Sequence, residues 1–255
     1  MNHRVSRLVF ASLVLFSAAA FAEDKADIQE LVTRAMKARS DGKLTEAVKL
    51  FDRVIASNKK ASNAYYYRGR INFRLGKIAE SIADLDQVAK LRPKRERELW
   101  ERGISHYYVG RYKQGAAQFA LYQTYHDNDV ENSVWRYLCM AREQNVKKAR
   151  EKMLPIKNDT RVPMMKIYAM YRGRASADDV LTAARAGKPT DEQLNGRLFY
   201  AHLYIGLFHE ADGKAKLARK HILLAEKHKI GHYMWDVAHV HAQLLRKKEQ
   251  GKKKE

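Results

Sequence analysis

The chain has 255 residues, 45% of them hydrophobic and 31% charged, which is enough apolar material for a packed core and excludes a disordered composition. Its 49 Lys and Arg outnumber 29 Asp and Glu, for a formal net charge of +20, and its one cysteine, Cys139, excludes an internal disulfide. The four prolines are thinly spread and helix formers dominate, so the predicted class is all-α.

In chain order, residues 1–22 read as an export signal: Arg4 and Arg7 form a basic start, Leu8 to Ala20 an apolar run, and Ala20-Phe21-Ala22 a small-x-small cleavage site. The apolar run is shorter than the ~20 residues a membrane-spanning helix needs, and no other stretch is apolar enough to span. The expected mature protein is periplasmic or secreted. It keeps a charge of about +18 once Arg4 and Arg7 leave, and no cysteine near the cleavage site is available for lipidation.

Residues 23–127 carry a strict period. Gly42, Gly76 and Gly110 recur every 34 residues, and so do Phe51, Leu85 and Phe119, and the small residues Ala47, Ser81 and Gly115. Small and large residues held in phase at this period mark stacked helix-turn-helix units. Ile28, Leu31, Val32 and Ala35 form the apolar stripe of a first helix, and Ala47, Leu50, Phe51 and Val54 that of its partner. Phe51, Leu85 and Phe119 are predicted to fill the space between pairs, with Gly69 and Gly103 admitting close helix approach.

The second unit shows Tyr65, Gly69, Gly76, Ser81, Leu85 and Pro93, the third Leu99, Gly103, Gly110, Gly115 and Phe119. This pattern resembles the tetratricopeptide repeat family. The resemblance implies a right-handed superhelical solenoid of antiparallel helix pairs whose first helices line a concave protein-binding face. The family's groove positions fall on Asn63, Tyr66, Arg70, Phe73 and Arg74 in the second unit, and on Arg97, Trp100, Ile104, Tyr107 and Tyr108 in the third. Aromatic and arginine side chains are the types that concentrate binding energy at interfaces. Members that grip a peptide carboxylate use Lys and Asn where this chain has Val32 and Met36, so that ligand is not expected.

Residues 128–190 lose the period. Asn132 to Met153 read as a helix pair or one long helix, Pro155 to Pro163 as a polar loop, and Met164 to Gly173 and Ala177 to Ala186 as short helices, the second capped by Ser176. Cys139 sits in WRYLCMA and reads as a buried structural residue. Residues 191–245 recover the spacing at Gly206, Gly213, Ala218 and Ile222, giving a fourth unit from Leu198 to Lys227 and a capping helix from Tyr233 to Leu245. The tail Arg246 to Glu255 carries six positive charges and nothing apolar, and is expected to be solvated and mobile. This order of elements resembles the NlpI-like group of bacterial tetratricopeptide lipoproteins, which implies an envelope adaptor holding cell-wall enzymes or a protease. The missing lipidation cysteine departs from that group.

Catalytic, cofactor and metal sites are not predicted. HExxH, GxSxG and phosphate-loop motifs are absent, and the histidine pairs His202 and His209, His228 and His232, and His239 and His241 lack metal-ligand spacing. The expected function is therefore a non-catalytic scaffold docking envelope proteins or their peptide segments. The alternative is electrostatic binding of an anionic membrane or cell-wall polymer, with nucleic acid disfavoured by export.

Overall fold

A computed structural model describes residues 27–252; the predicted signal segment lies outside these residues. Among them the regular structure is helical, without strands. Helix α1 (residues 27–40) pairs with α2 (Leu44–Ser57), α3 (Ser62–Arg74) with α4 (Ile78–Leu91), and α5 (Trp100–Tyr108) with α6 (Tyr112–Tyr122). A 3₁₀ turn, Pro93–Glu98, leads into α5. After α6 come α7 (Val130–Glu143) and the short α8 (Val146–Glu151), two helices where one long helix was the other expectation, then α9 (Met164–Tyr171) and α10 (Ala177–Arg185). A long pair follows, α11 (Asp191–Ala211) and α12 (Ala215–Lys227), and α13 (Tyr233–Lys252) closes the described chain.

The periodic glycines stop the first helix of each pair by one device. Gly42, Gly76, Gly110 and Gly213 have φ of +74° to +76°, where a Cβ would be strained. At the end of α3, Gly76 N–H donates to Phe73 O (2.8 Å) and Lys77 N–H to Asn72 O (2.8 Å), so two terminal carbonyls are satisfied as the chain reverses. The same two bonds recur after α5 and α11. Start signals are equally local: Ser176 with Asp179 and Thr190 with Gln193 form reciprocal capping boxes on α10 and α11.

Packing follows the phase of the repeat. Phe51, Leu85 and Phe119 are 1%, 0% and 1% exposed, so the three in-phase large residues are core. A Cβ on Gly103 would lie 2.7 Å from the Phe119 ring, and one on Gly206 2.8 Å from Ile222, so these glycines set how closely each pair packs. Cys139 is fully buried, its Sγ occupying the space a Gly115 Cβ would need, and burial pushes its thiol well above the ordinary value.

Two apolar clusters result. A small one joins α1, α2 and one side of α3; a large one runs from Phe73 through Trp135, Tyr171 and Tyr204 to Val240 and Ala242 on α13. The predicted cap is thus part of the main core. The basic tail needs correction as well: α13 continues to Lys252, because Arg246 pairs with Glu226 on α12 and Arg219 with Glu249 at 2.6 Å. Residues 246–251 are exposed, as a solvated tail would be, but they are helical and tied to α12 by these ion pairs where a mobile end was expected.

Candidate protein-binding site

Of the predicted groove residues, Arg70, Phe73 and Arg74 on α3 and Trp100 and Tyr108 on α5 meet the chain's own α13, while Arg97 lies on the 3₁₀ turn before α5. Tyr233 meets Phe73 (ring centroids 5.5 Å) and Trp100 (5.4 Å, edge to face), and the Arg70 guanidinium lies 4.7 Å over the Tyr233 ring. One turn on, Asp236 pairs with Arg74 at 3.2 Å, and further along Tyr108 Oη and His241 Nδ1 are 3.0 Å apart. An open aromatic groove was expected along this face, and that picture is corrected: Phe73 and Ile104 are fully buried and Tyr107 is 6% exposed. The reason is hydrophobic. Phe73, Trp100 and Tyr108 would present a large apolar strip to water, and α13 removes it from solvent.

The remaining predicted residues are held by local polar contacts. Tyr66 donates to Glu101 Oε1 (2.6 Å), and Arg70 donates to Tyr66 Oη (3.2 Å) and lies 3.7 Å from Glu101. Burial raises the Glu101 carboxyl, opposed by Arg70. Asn63 is exposed and accepts from Arg95 (3.3 Å); Arg97 is exposed and packs over the Tyr125 ring at 5.5 Å.

Two parts of this side are left open: Arg70 and Arg74 border a polar cavity of about 610 Å³ with Arg39 and Asp236, and a second cavity lies beside Trp100. At the N-terminal end of α13 a cavity of about 550 Å³ is walled by Trp100, Tyr122, His126, Trp135 and His232, and floored by Asp129, Glu131, Asn132, Asp159 and Arg161. Asp129 caps α7, accepting from Glu131 N–H (3.0 Å), and Asp159 accepts from Val130 N–H (3.2 Å), so the loop before α9 is tied to the start of α7. Arg161 bridges all three carboxylates, at 2.7 Å from Asp129, 2.7 Å from Glu131 and 2.6 Å from Asp159. Glu131 also accepts from Tyr204 Oη at 2.6 Å. Burial, with Asp129 beside it, pushes the Glu131 carboxyl up; Asp159, although also buried, is held below the usual value by Arg161. Two buried lining residues keep a polar atom unpaired: Trp135 Nε1 and Asn132 Oδ1.

Residues 32–96 match the family model of the tetratricopeptide repeat. That stretch spans α2, α3 and α4, the part of the chain in which the 34-residue period begins. A crystal structure of a tetratricopeptide repeat protein from Parabacteroides merdae superposes with a TM-score of 0.53 at 15% identity, over 90% of this chain and 89% of that one. MamA from Desulfovibrio magneticus (TM-score 0.49, 14% identity, 78% of this chain and 93% of that) and YrrB, described as a repeat protein with an unusual peptide-binding site (0.47, 17%, 89% and 97%), are also similar. At these identities the likeness is one of fold. A comparison with curated proteins finds no match.

Of the predicted groove residues Trp100 lines the cavity beside Asp129, and Arg70 and Arg74 line the one beside Asp236. His126, Asp129, Glu131, Asn132, Trp135, Asp159 and Arg161 were not anticipated, because they lie at or beyond the point where the 34-residue period ends. The cluster Asp127-Asn-Asp-Val-Glu131 was the visible signal, and its partner Arg161 is thirty residues away in sequence.

Four further histidines gather between α11 and α12. His202 Nδ1 and His221 Nδ1 are 2.9 Å apart, and His228 and His209 stand beside them at ring distances of 5.8 and 5.9 Å. Burial pushes His202 down to about 4, with His221 and His228 adding to the shift. Among the described residues no group of three or more His, Cys, Asp or Glu side chains is arranged to hold a metal ion.

Proposed function

We propose that this protein is a non-catalytic adaptor, exported to the cell envelope, that docks a segment of a partner protein at the open end of its concave face. The observation that carries the proposal is the cavity beside Trp100: aromatic walls, several polar groups, and two buried polar atoms with no partner. Repeat arrays offer preformed concave surfaces of this kind. Export rests on the basic, apolar, small-x-small order of residues 1–22. The resemblance to the NlpI-like group favours partners among cell-wall enzymes or proteases.

Photo-crosslinking tests the site. A photoreactive residue at exposed His126 should capture the same discrete partners as one at exposed Asn158, whereas one at Lys49, on α2, should not; Trp100→Ala should abolish the capture from His126. Equal capture from Lys49 overturns the site.

A second reading, binding of an anionic membrane or cell-wall polymer, is favoured by a basic cluster between α8 and the C-terminal end of α9, where Lys147, Arg150, Arg172 and Arg174 line one shallow cavity with Glu151 as its one acid. Binding of this kind should collapse on raising salt, whereas docking at the Trp100 cavity should survive.

A further inference from the structure

We propose that the cavity beside Trp100 recognises a basic side chain, arginine above all, on the docked segment; this rests on the adaptor reading and names the chemistry of its ligand. Four observations lead there. The first is a local reversal of charge: in a chain of net charge +20, this cavity presents Asp129, Glu131 and Asp159 against a single cation, Arg161.

The second is that Arg161 is largely spent as an anion receptor. Its Nε donates to Asp159 (2.9 Å), Nη1 to Glu131 (2.7 Å), and Nη2 to both Asp129 (2.7 Å) and Asp159 (2.6 Å), so all but one N–H of the guanidinium is engaged with a carboxylate. One guanidinium is already seated among these carboxylates, which shows the geometry that suits the group. Both hydrogen bonds to Asp129 fall on Oδ1, leaving Oδ2 for a further donor.

The third is the aromatic wall. Trp100, Tyr122 and Trp135 line the same cavity, and a guanidinium between carboxylates and ring faces is favoured by both.

The fourth is the pair of unpartnered atoms. Trp135 is 1% exposed and Asn132 3%; the indole N–H lacks an acceptor, and Asn132 Oδ1 lacks a donor while its Nδ2 donates to Gln123 at 2.9 Å. Both atoms are closed to a water molecule, and a peptide unit, with one acceptor and one donor, is the complement of this pair once the side chains turn toward it. A free metal ion would leave the indole N–H unpaired, and a carboxylate ligand would face three carboxylates.

The test uses the full chain, labelled with nitrogen-15, and follows its three tryptophan indole signals, assigned by single Trp→Phe variants. The probe is N-acetyl-arginine-N-methylamide, with the glutamine and glutamate analogues for comparison. For a fragment of this size, binding in the millimolar range is expected. Trp100 and Trp135 signals should move and Trp235, whose indole donates to Glu226 O outside the cavity, should not. Asp129→Asn, which keeps the α7 cap, should weaken arginine-amide binding about 5- to 10-fold. Arg161→Ala, which empties the carboxylate cage, should strengthen it. If Asp129→Asn or Arg161→Ala alters the fold, the comparison of the three amides on the unaltered chain decides alone.

No movement at about 50 mM arginine amide overturns the inference. So does equal movement with the glutamine amide, stronger binding of the glutamate amide, or equal movement of Trp235. Failure of the amide while His126 still captures partners removes arginine recognition and leaves the adaptor; amide binding without any capture removes the adaptor and leaves the pocket.

Discussion

The two ends of the concave face meet opposite fates. At the covered end, Phe73 and Tyr108 find partners on α13 (Tyr233 and His241) and join the core, while Arg74 pairs with Asp236 and stays partly exposed. At the end beside Trp100, Asp129, Glu131 and Asp159 gather around Arg161, and Trp135 and Asn132 hold polar atoms without a partner among the described residues. The difference teaches that an aromatic stripe in repeat phase does not identify a ligand site by itself. Apolar surface is covered by whatever helix the chain can bring to it, and the part left open is the part whose chemistry a helix of this sequence does not complement.

The largest test of this contrast is removal of α13 by ending the chain after Gly231. Tyr233, Met234, Val237 and Val240 are all buried, and at about 1.5–3 kcal/mol each the loss exceeds ~6 kcal/mol, comparable to a whole domain's stability. The truncated protein should lose its cooperative urea transition. A truncated chain that unfolds cooperatively near the full-length midpoint would make α13 a detachable cover over a true groove. Next, Phe73→Ala at the covered end should cost ~3 to 5 kcal/mol, as should Phe119→Ala within the stack. Urea denaturation that finds Phe73→Ala under ~1 kcal/mol would return Phe73 to the surface.

A pH titration of stability separates the buried groups by sign. His202 and His106 are both pushed down to about 4, chiefly by burial, so they stay neutral in the folded chain while the unfolded chain takes up protons below about 6.5. Stability from these histidines is therefore full above about pH 6.5 and is lost as pH falls toward about 4. Glu131 acts oppositely, because its raised carboxyl holds a proton more tightly in the folded chain and so favours folding as pH drops. Urea midpoints measured across this window should fall toward acid, and His202→Asn should flatten the curve. The smallest effect is expected from Arg74→Ala: its pair with Asp236 is partly exposed at 3.2 Å, so the change in stability should stay under ~1 kcal/mol.

The repeat array was legible because its determinants are local and periodic. Gly76 and Lys77 end α3 by donating to carbonyls three and five residues back, and Phe119 packs on Gly103 within one helix pair, so a 34-residue window contains both cause and effect. The orientation of Tyr66, Arg70, Phe73, Trp100 and Tyr108 toward one face was equally contained in helical phase. The cavity was not legible. Arg161 reaches Asp129 and Glu131 from a loop with no periodic pattern, and Tyr204 reaches Glu131 from 73 residues away.

By itself, then, the sequence determined the all-α class, the pairing of helices, the glycine stops and the three large residues of the stack, because each depends on neighbours within one or two turns or one repeat. Only the tertiary structure decided that α13 would cover Phe73 and Tyr108, that the basic tail would stay helical through Arg246 and Glu226, and that three carboxylates would meet one arginine beside Trp100. Those outcomes depend on where distant segments land once the stack has formed, and a superhelix brings its last helix back to its second repeat without any local signal that it will do so.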